Sequence, residues 1–249
     1  LMVAMARMTQ RGETIMSIED FEKLLEKPYT ATTVETMTAL PHPTIQKFGV
    51  INMIIVGASR RFLAQITRHQ NEVKFMSGSL QYSDYSNAAQ FVVPHEVIKD
   101  TAENGPHGAS PKSTTTDFYL NSCAASLHEY ERLVKLVGRD AAGYAMPQGM
   151  RNVLLISATP YQWKHMISQR ICNRNTLETQ YVMLLCWEAL AQTSVMFNDI
   201  GPSCIQNNKC DEGKMTCGHF LHSAAVDDYM QKHVCSLPTA ILNTSFKLI

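Results

Sequence analysis

The chain has 249 residues, enough to bury a substantial core as one α/β domain, and its 45% hydrophobic and 18% charged content belongs to a folded protein rather than a disordered one. Its 22 basic residues balance 22 acidic ones, so no overall field draws it to nucleic acid or to an anionic membrane. Any anion must be held by locally placed Arg, Lys or helix ends.

Arg7 and Arg11 interrupt the N-terminal apolar stretch before a signal-peptide core can form, and a start at Leu1 points to a natural start further upstream. Residues 17–27 predict an amphipathic helix capped by Ser17 and stopped by Pro28. A turn follows around Pro41, His42 and Pro43. Residues 48–57 are apolar on both alternating faces, which predicts a strand covered on both sides. The run is too short to span a bilayer. Gly57 breaks it, and Ser59 caps a helix running to about His69, with Phe62 and Ile66 on its apolar stripe.

Residues 100–116 carry Gly, Pro, Ser and Thr without periodicity and read as a long exposed loop. A helix from Thr116 to Val137 follows, stopped by Gly138. Two more are expected, from Pro160 to Ile171 and from Thr176 to about Phe197. No internal repeat or low-complexity tract divides the chain, which reads as one domain over 1–249 with a Cys-rich segment at 201–219.

Two helical faces carry chemistry. Gln65, Arg68 and His69 stand at i, i+3 and i+4, delivering an amide, a guanidinium and an imidazole together. Arg68 can grip a phosphate or a pyrimidine carbonyl, and Gln65 can read a ring edge. The turn Ser77-Gly78-Ser79-Leu80-Gln81 adds hydroxyls and backbone N–H groups suited to anionic oxygens. Further on, Trp163, Ile167, Arg170 and Arg174 line one face of another helix. A guanidinium on such a stripe wants an anion or a carboxylate, with Glu178 the candidate acid. Asn175-Thr-Leu-Glu178 reads as a capping box opening the next helix.

These segments resemble the flavin-dependent thymidylate synthases. That family carries Arg-His-Arg, seven or eight residues, then Ser-x-Arg-Tyr; here Arg68-His69-Gln70 is followed, eight residues on, by Ser79-Leu80-Gln81-Tyr82. Met146-Pro147 matches the family's Leu-Pro, and Trp163, His165, Arg170 and Glu178 keep its later spacing. The similarity runs from about 40 to 190. It implies a compact fold with an antiparallel sheet and long helices, and a homotetramer whose active sites are built from several subunits. It also implies conversion of dUMP to dTMP, with methylenetetrahydrofolate as carbon donor and FAD, reduced by NADPH, as hydride source. Gln65, Arg68, Ser79, Leu80, Gln81 and Arg170 would contact dUMP, with Arg170 and Arg68 closest to the chemistry. Arg68, His69, Gln70, His165 and Arg174 would lie along FAD. Small molecules, not nucleic acid or membrane, are then the partners.

Three family arginines are replaced, by Gln70, Gln81 and Gly143, and Arg151 is a candidate substitute for the last. These losses raise the alternative of a catalytically silent paralogue that still binds nucleotide or flavin. Seven cysteines, an odd number, with no secretory signal predict reduced thiols in the cytoplasm. Cys204, Cys210, Cys217 and His219 have the ligand types and number of a structural tetrahedral zinc site. The alternative is a reduced loop with incidental thiols. Cys123, Cys172, Cys186 and Cys235 read as packing residues.

Overall fold

The computed structural model describes residues 1–38, 40, 42–94, 96–97, 115–198, 200–218 and 245–247. Helix α1 (Met2–Gln10) buries Val3, Ala4, Met5 and Ala6, and packs with α3 (Ala31–Thr38) across Val3, Ala6 and Met37. Between them α2 (Ile18–Glu26) opens as predicted, with the Ser17 side chain accepting from the Asp20 N–H.

Strand β1 (Ile51–Ser59) leads into α4 (Arg60–Ile66), where the Ser59 hydroxyl accepts from the Phe62 N–H. Then come β2 (Val73–Ser77), β3 (Gln90–Val92), α5 (Thr115–Val137) and the short α6 (Arg139–Ala142). Gly138, at φ 90°, ends α5 in a conformation that a side chain would oppose. Strand β4 (Arg151–Ala158) precedes α7 (Pro160–Arg170) and α8 (Leu177–Thr193). The chain closes with α9 (Ser203–Gln206) and β5 (Ser245–Lys247). Most of the expected loop at 100–116 lies outside the described residues.

Three strands form an antiparallel sheet in the order β1-β4-β2, with Ile54 opposite Leu155 and Val56 opposite Val153. β3 pairs with β5 in a second antiparallel sheet, and Phe91 bridges to Met150. The β1–β4 register slips between Val56 and Ala58, at Gly57 (φ 97°), where a Cβ would collide with the Arg151 guanidinium.

The sheet's inner face supplies Ile55, Leu154 and Ile156 to a core completed by Phe62 and Ile66 of α4, Trp163 and Ile167 of α7, and Trp187 of α8. Trp163 also donates from Nε1 to the Ile51 carbonyl at 3.1 Å, tying α7 to the start of β1. A second cluster joins Cys123, Leu127 and Tyr130 of α5 to Phe91, Met146 and Met150.

The outer face differs from expectation. Ile54 is 66% exposed, Val56 69%, Met76 71% and Val153 46%, so β1 is covered on one side only. No helix among the described residues is long and apolar enough to cross a membrane. The last long helix is also shorter than predicted. It ends at Thr193 because Ser194 turns to an extended conformation, and a 3₁₀ turn, Val195–Phe197, continues the chain.

Candidate functional site

Helix α4 stops at Ile66, three residues earlier than predicted. The Thr67 hydroxyl donates back to the Leu63 carbonyl at 2.8 Å, and the His69 N–H turns to Ile66 at 3.1 Å. Gln65 therefore sits in the last helical turn, while Arg68 and His69 occupy the tight turn after it. His69 points inward and is buried; Arg68 and Gln70 are exposed.

Arg170, the last residue of α7, engages all three guanidinium nitrogens, two of them with this turn. Nε donates to His69 Nε2 at 2.9 Å, Nη2 to the Gln65 carbonyl at 2.9 Å, and Nη1 to Asn175 Oδ1 at 3.2 Å. A rigid fork that satisfies three acceptors on two segments fixes its own orientation. Asn175 is fixed in turn, donating from Nδ2 to the carbonyls of Gln169 and Cys172. Because Nε2 of His69 accepts, its imidazole is neutral there. Burial, then the Arg170 charge, then His165 push its pKa down to about 4. The His165 ring, itself exposed, stands edge-to-face to His69 at 5.9 Å between centroids.

The start of α8 closes the same corner. The Thr179 hydroxyl donates to Gln65 Oε1, with the Thr176 hydroxyl 3.3 Å from the same oxygen. Thr176, not Asn175, is the N-cap of α8. Nor does Glu178 close a capping box or pair with Arg170 or Arg174. Its carboxylate reaches across to Ser59, accepting from the N–H at 2.7 Å and from Oγ at 2.6 Å. Burial raises the Glu178 pKa, opposed by those Ser59 bonds and by Arg61.

Arg68 lies near Arg170, and Arg174 lines one cavity with it. Among the described residues no carboxylate stands within 4.0 Å of any of them. Burial first, and then the Arg68 charge, lower the Arg170 pKa, yet a guanidinium keeps its proton at any physiological pH. Arg170 and Arg174 line a cavity of about 340 Å³. Asp211 and Glu212 line the same cavity, Asp211 pairing with Lys209 at 3.0 Å rather than with either arginine; Arg170 is partly buried while Arg68 and Arg174 are exposed.

The turn at 79–81 lies elsewhere. Ser79 Oγ accepts from the Gln81 N–H at 3.1 Å, and Leu80 packs on the second core cluster, where a Cβ at Gly143 would come within 3.2 Å of it. Among the described residues no hydrogen bond joins this turn to Arg170. Arg151, the candidate substitute cation, donates to Gln90 Oε1 and lies across Gly57.

Cys123 and Cys186 are buried as packing residues, but Cys172 is half-buried and lines the same cavity as Arg170. His219 and Cys235 lie outside the described residues. Among the described residues no three Cys, His, Asp or Glu side chains stand close enough together to hold a metal ion. Cys204, Cys210 and Cys217 also line the Arg170 cavity. Burial raises the Cys172 and Cys204 pKa values, with neighbouring thiols adding to both.

An antiparallel β1-β4-β2 sheet backed by α4, α7 and α8, with an arginine corner at their ends, defines a mixed helix-and-sheet protein. The chain belongs to the family described as "Thymidylate synthase complementing protein", which matches residues 1–194. It is 23% identical over 207 residues to the flavin-dependent thymidylate synthase of Pyrococcus abyssi, covering 80% of each chain. The enzyme of Thermococcus onnurineus is 23% identical over 208 residues, covering 79% of this chain and 78% of its own. Among solved structures, the fold is similar to a UMP/dUMP methylase, PolB from Streptomyces cacaoi, with a TM-score of 0.59 and 16% identity over 80% of this chain and 88% of that one. It is also similar to thymidylate synthase X from Helicobacter pylori, solved with FAD and dUMP, with a TM-score of 0.54 and 16% identity over 80% and 93% of the two chains.

The His69–Arg170 contact has a pH signature. The folded-state pKa of His69, about 4, lies below its ordinary value of 6.5. As pH falls through 6.5 the unfolded chain takes up the proton first, so stability declines between pH 6.5 and about 4 and levels off below. In His69→Gln, which keeps an acceptor for Arg170, this part of the decline is expected to vanish in chemical denaturation at stepped pH. An unchanged profile would mean that His69 is not neutral and buried in solution.

Proposed function

We propose that this chain methylates dUMP to dTMP, with methylenetetrahydrofolate as carbon donor, bound FAD, and NADPH as reductant. The observation that carries this reading is the convergence of Gln65, His69 and Arg170 on one corner, with Arg68 beside it, where among the described residues no carboxylate pairs with a guanidinium. Such a corner suits a nucleotide phosphate and the developing charge on a pyrimidine carbonyl. Arg170 would stabilise that charge, and Arg68 would hold phosphate or ring. Arg68, Gln70, His165 and Arg174 offer exposed cationic, amide and imidazole edges that fit the diphosphate and ring system of FAD, beside the buried His69. Bound FAD supplies the hydride chemistry; these side chains bind, orient and polarise.

The turn Ser79-Leu80-Gln81 fits as a contribution from a neighbouring subunit to the same dUMP site. The exposed Ile54, Val56, Met76 and Val153 on the outer sheet face form an apolar patch suited to a subunit interface. Together they support a homotetramer with shared active sites; the reading of the seven cysteines as reduced thiols is what favours the cytoplasm. A paired substitution, Ile54→Lys with Val56→Lys, is expected to dissociate the assembly and abolish activity, read by light scattering and turnover. A tetramer that survives it would place the interface elsewhere.

The decisive experiment is dTMP formation by the purified protein, with dUMP and UMP assayed in parallel because the PolB neighbour is described as acting on both. Oxidised-flavin absorption bleached by NADPH, faster with dUMP present, is the expected companion. A second reading is favoured by Gln70, Gln81 and Gly143, which remove three positive charges of the family pattern. On it, the chain binds nucleotide or flavin without turnover, and bound flavin with no dTMP would establish that reading.

A further inference from the structure

Four of the described cysteines come from places well separated in sequence and line one cavity. Cys172 lies two residues beyond the end of α7, Cys204 lies in α9, and Cys210 and Cys217 belong to the irregular segment that follows. The cavity also takes the cations Arg170, Arg174 and Lys209 and the carboxylates Asp211 and Glu212, with Asp211 paired to Lys209 at 3.0 Å. We propose that Cys172, Cys204, Cys210 and Cys217 form a structural zinc site that pins residues 203–217 to the α7–α8 corner. The set differs from the sequence expectation in one ligand, with Cys172 in the fourth position where the sequence reading has His219.

The chemistry of the donors points to zinc. Four thiolates are a complete tetrahedral set for a soft, redox-inert divalent ion, and four protein ligands leave no open position for catalysis. On binding, each thiol gives its proton to solvent and its sulfur lone pair to the metal; nothing is oxidised or reduced. The resulting net charge of about −2 on a zinc tetrathiolate would share the cavity with Arg170 and Arg174, which have no carboxylate partner among the described residues, while Lys209 is already paired with Asp211.

The backbone permits closure. The thiols stand around the cavity wider than a coordination sphere, and zinc–sulfur bonds of about 2.3 Å would draw them together. The segment that must move has little core of its own. Residues 206–209 and 211–217 are exposed, and the turns there are bridged by local bonds such as Lys209 N–H to Cys204 at 3.0 Å and Met215 N–H to Glu212 at 3.0 Å. Its root is already fixed to α7, with the hydroxyls of Ser168 and Ser203 2.8 Å apart, and Met215 Sδ lies 3.7 Å from Arg174 Nη2. A polar segment with so few apolar anchors lacks the burial that holds the rest of the fold, and a metal crosslink supplies it. Cys204, Cys210 and Cys217 fall beyond the family match at 1–194 while Cys172 falls inside it, so the site would fasten the additional segment onto the family core.

The inference does not rest on the thymidylate reading and is tested without an activity assay. Full-length protein purified without chelator is expected to carry one zinc per chain by elemental analysis. Alkylation mapped by mass spectrometry should find Cys172, Cys204, Cys210 and Cys217 protected together, and all four newly reactive after strong chelation. Cys172→Ser should lose most of the zinc, whereas His219→Ala should retain it. Four outcomes would overturn the proposal: no zinc, iron with sulfide in its place, thiols released by reductant but not by chelator, or Cys172 reactive while the other three are protected. Should Cys172→Ser prove insoluble, the alkylation map of the unaltered protein decides alone.

Discussion

Replacing Arg170 with Lys is expected to weaken dUMP binding by about ten- to a hundredfold while leaving the fold intact. The estimate takes one lost charge-assisted hydrogen bond at about 1.5–3 kcal/mol, with tenfold in affinity for each 1.4 kcal/mol. Lys keeps the positive charge but is a single point on a flexible stem, and cannot span the His69 nitrogen, the Gln65 carbonyl and Asn175 at once. Lys is a better test than Ala, because Ala would leave buried acceptors on His69 and Gln65 with no donor at all. Calorimetric titration with dUMP reads the affinity, and circular dichroism the fold. An unchanged dissociation constant would remove Arg170 from the substrate site.

Trp163→Ala is expected to cost about 3–5 kcal/mol of stability, the range for emptying a large buried aromatic site. Trp163 is fully buried, packs with the inner sheet face and α4, and donates to the Ile51 carbonyl. Since whole-domain stabilities are only about 5–15 kcal/mol, the loss should move the urea midpoint strongly with little change in slope. Trp163→Phe should cost much less, because most of the ring volume remains and the principal loss is the partner of the Ile51 carbonyl. Equal losses for the two variants would show that the hydrogen bond, rather than the filled volume, dominates.

The parts of the fold legible in the sequence are those whose signals are local. Ser17 and Ser59 cap helices through their own hydroxyls, and Gly138 stops α5 through its own φ angle. Helices α1 and α3 were not expected. ATTVETMT is rich in β-branched residues with low intrinsic helix preference, and its helix is decided by packing against Val3 and Ala6. The one-sided cover of β1 could not be read either, because a strand that one chain leaves open carries the same apolar pattern as one buried twice.

The candidate site divides the same way. Spacing found Gln65, Arg68, His69 and Arg170, but not the way α4 ends at Ile66 and swings His69 inward to accept from Arg170. Of the two residues that orient the corner, Thr179 carries no signal of its own and Asn175 carries only the pattern of a helix cap. Their role comes from contacts with Arg170 and Gln65, which are distant in sequence or made through a turn. Glu178 looked like a local cap because spacing reports only neighbours along the chain, whereas its partner Ser59 lies 119 residues away.

With the Gln65 amide oxygen taken up by the α8 threonines, that side chain has only its NH₂ group left to offer. A heterocycle presenting a carbonyl to it finds a match; one presenting an exocyclic amine meets donor against donor. Discrimination between uracil-like and cytosine-like rings would then be set from behind, by two hydroxyls that the ring itself need never touch.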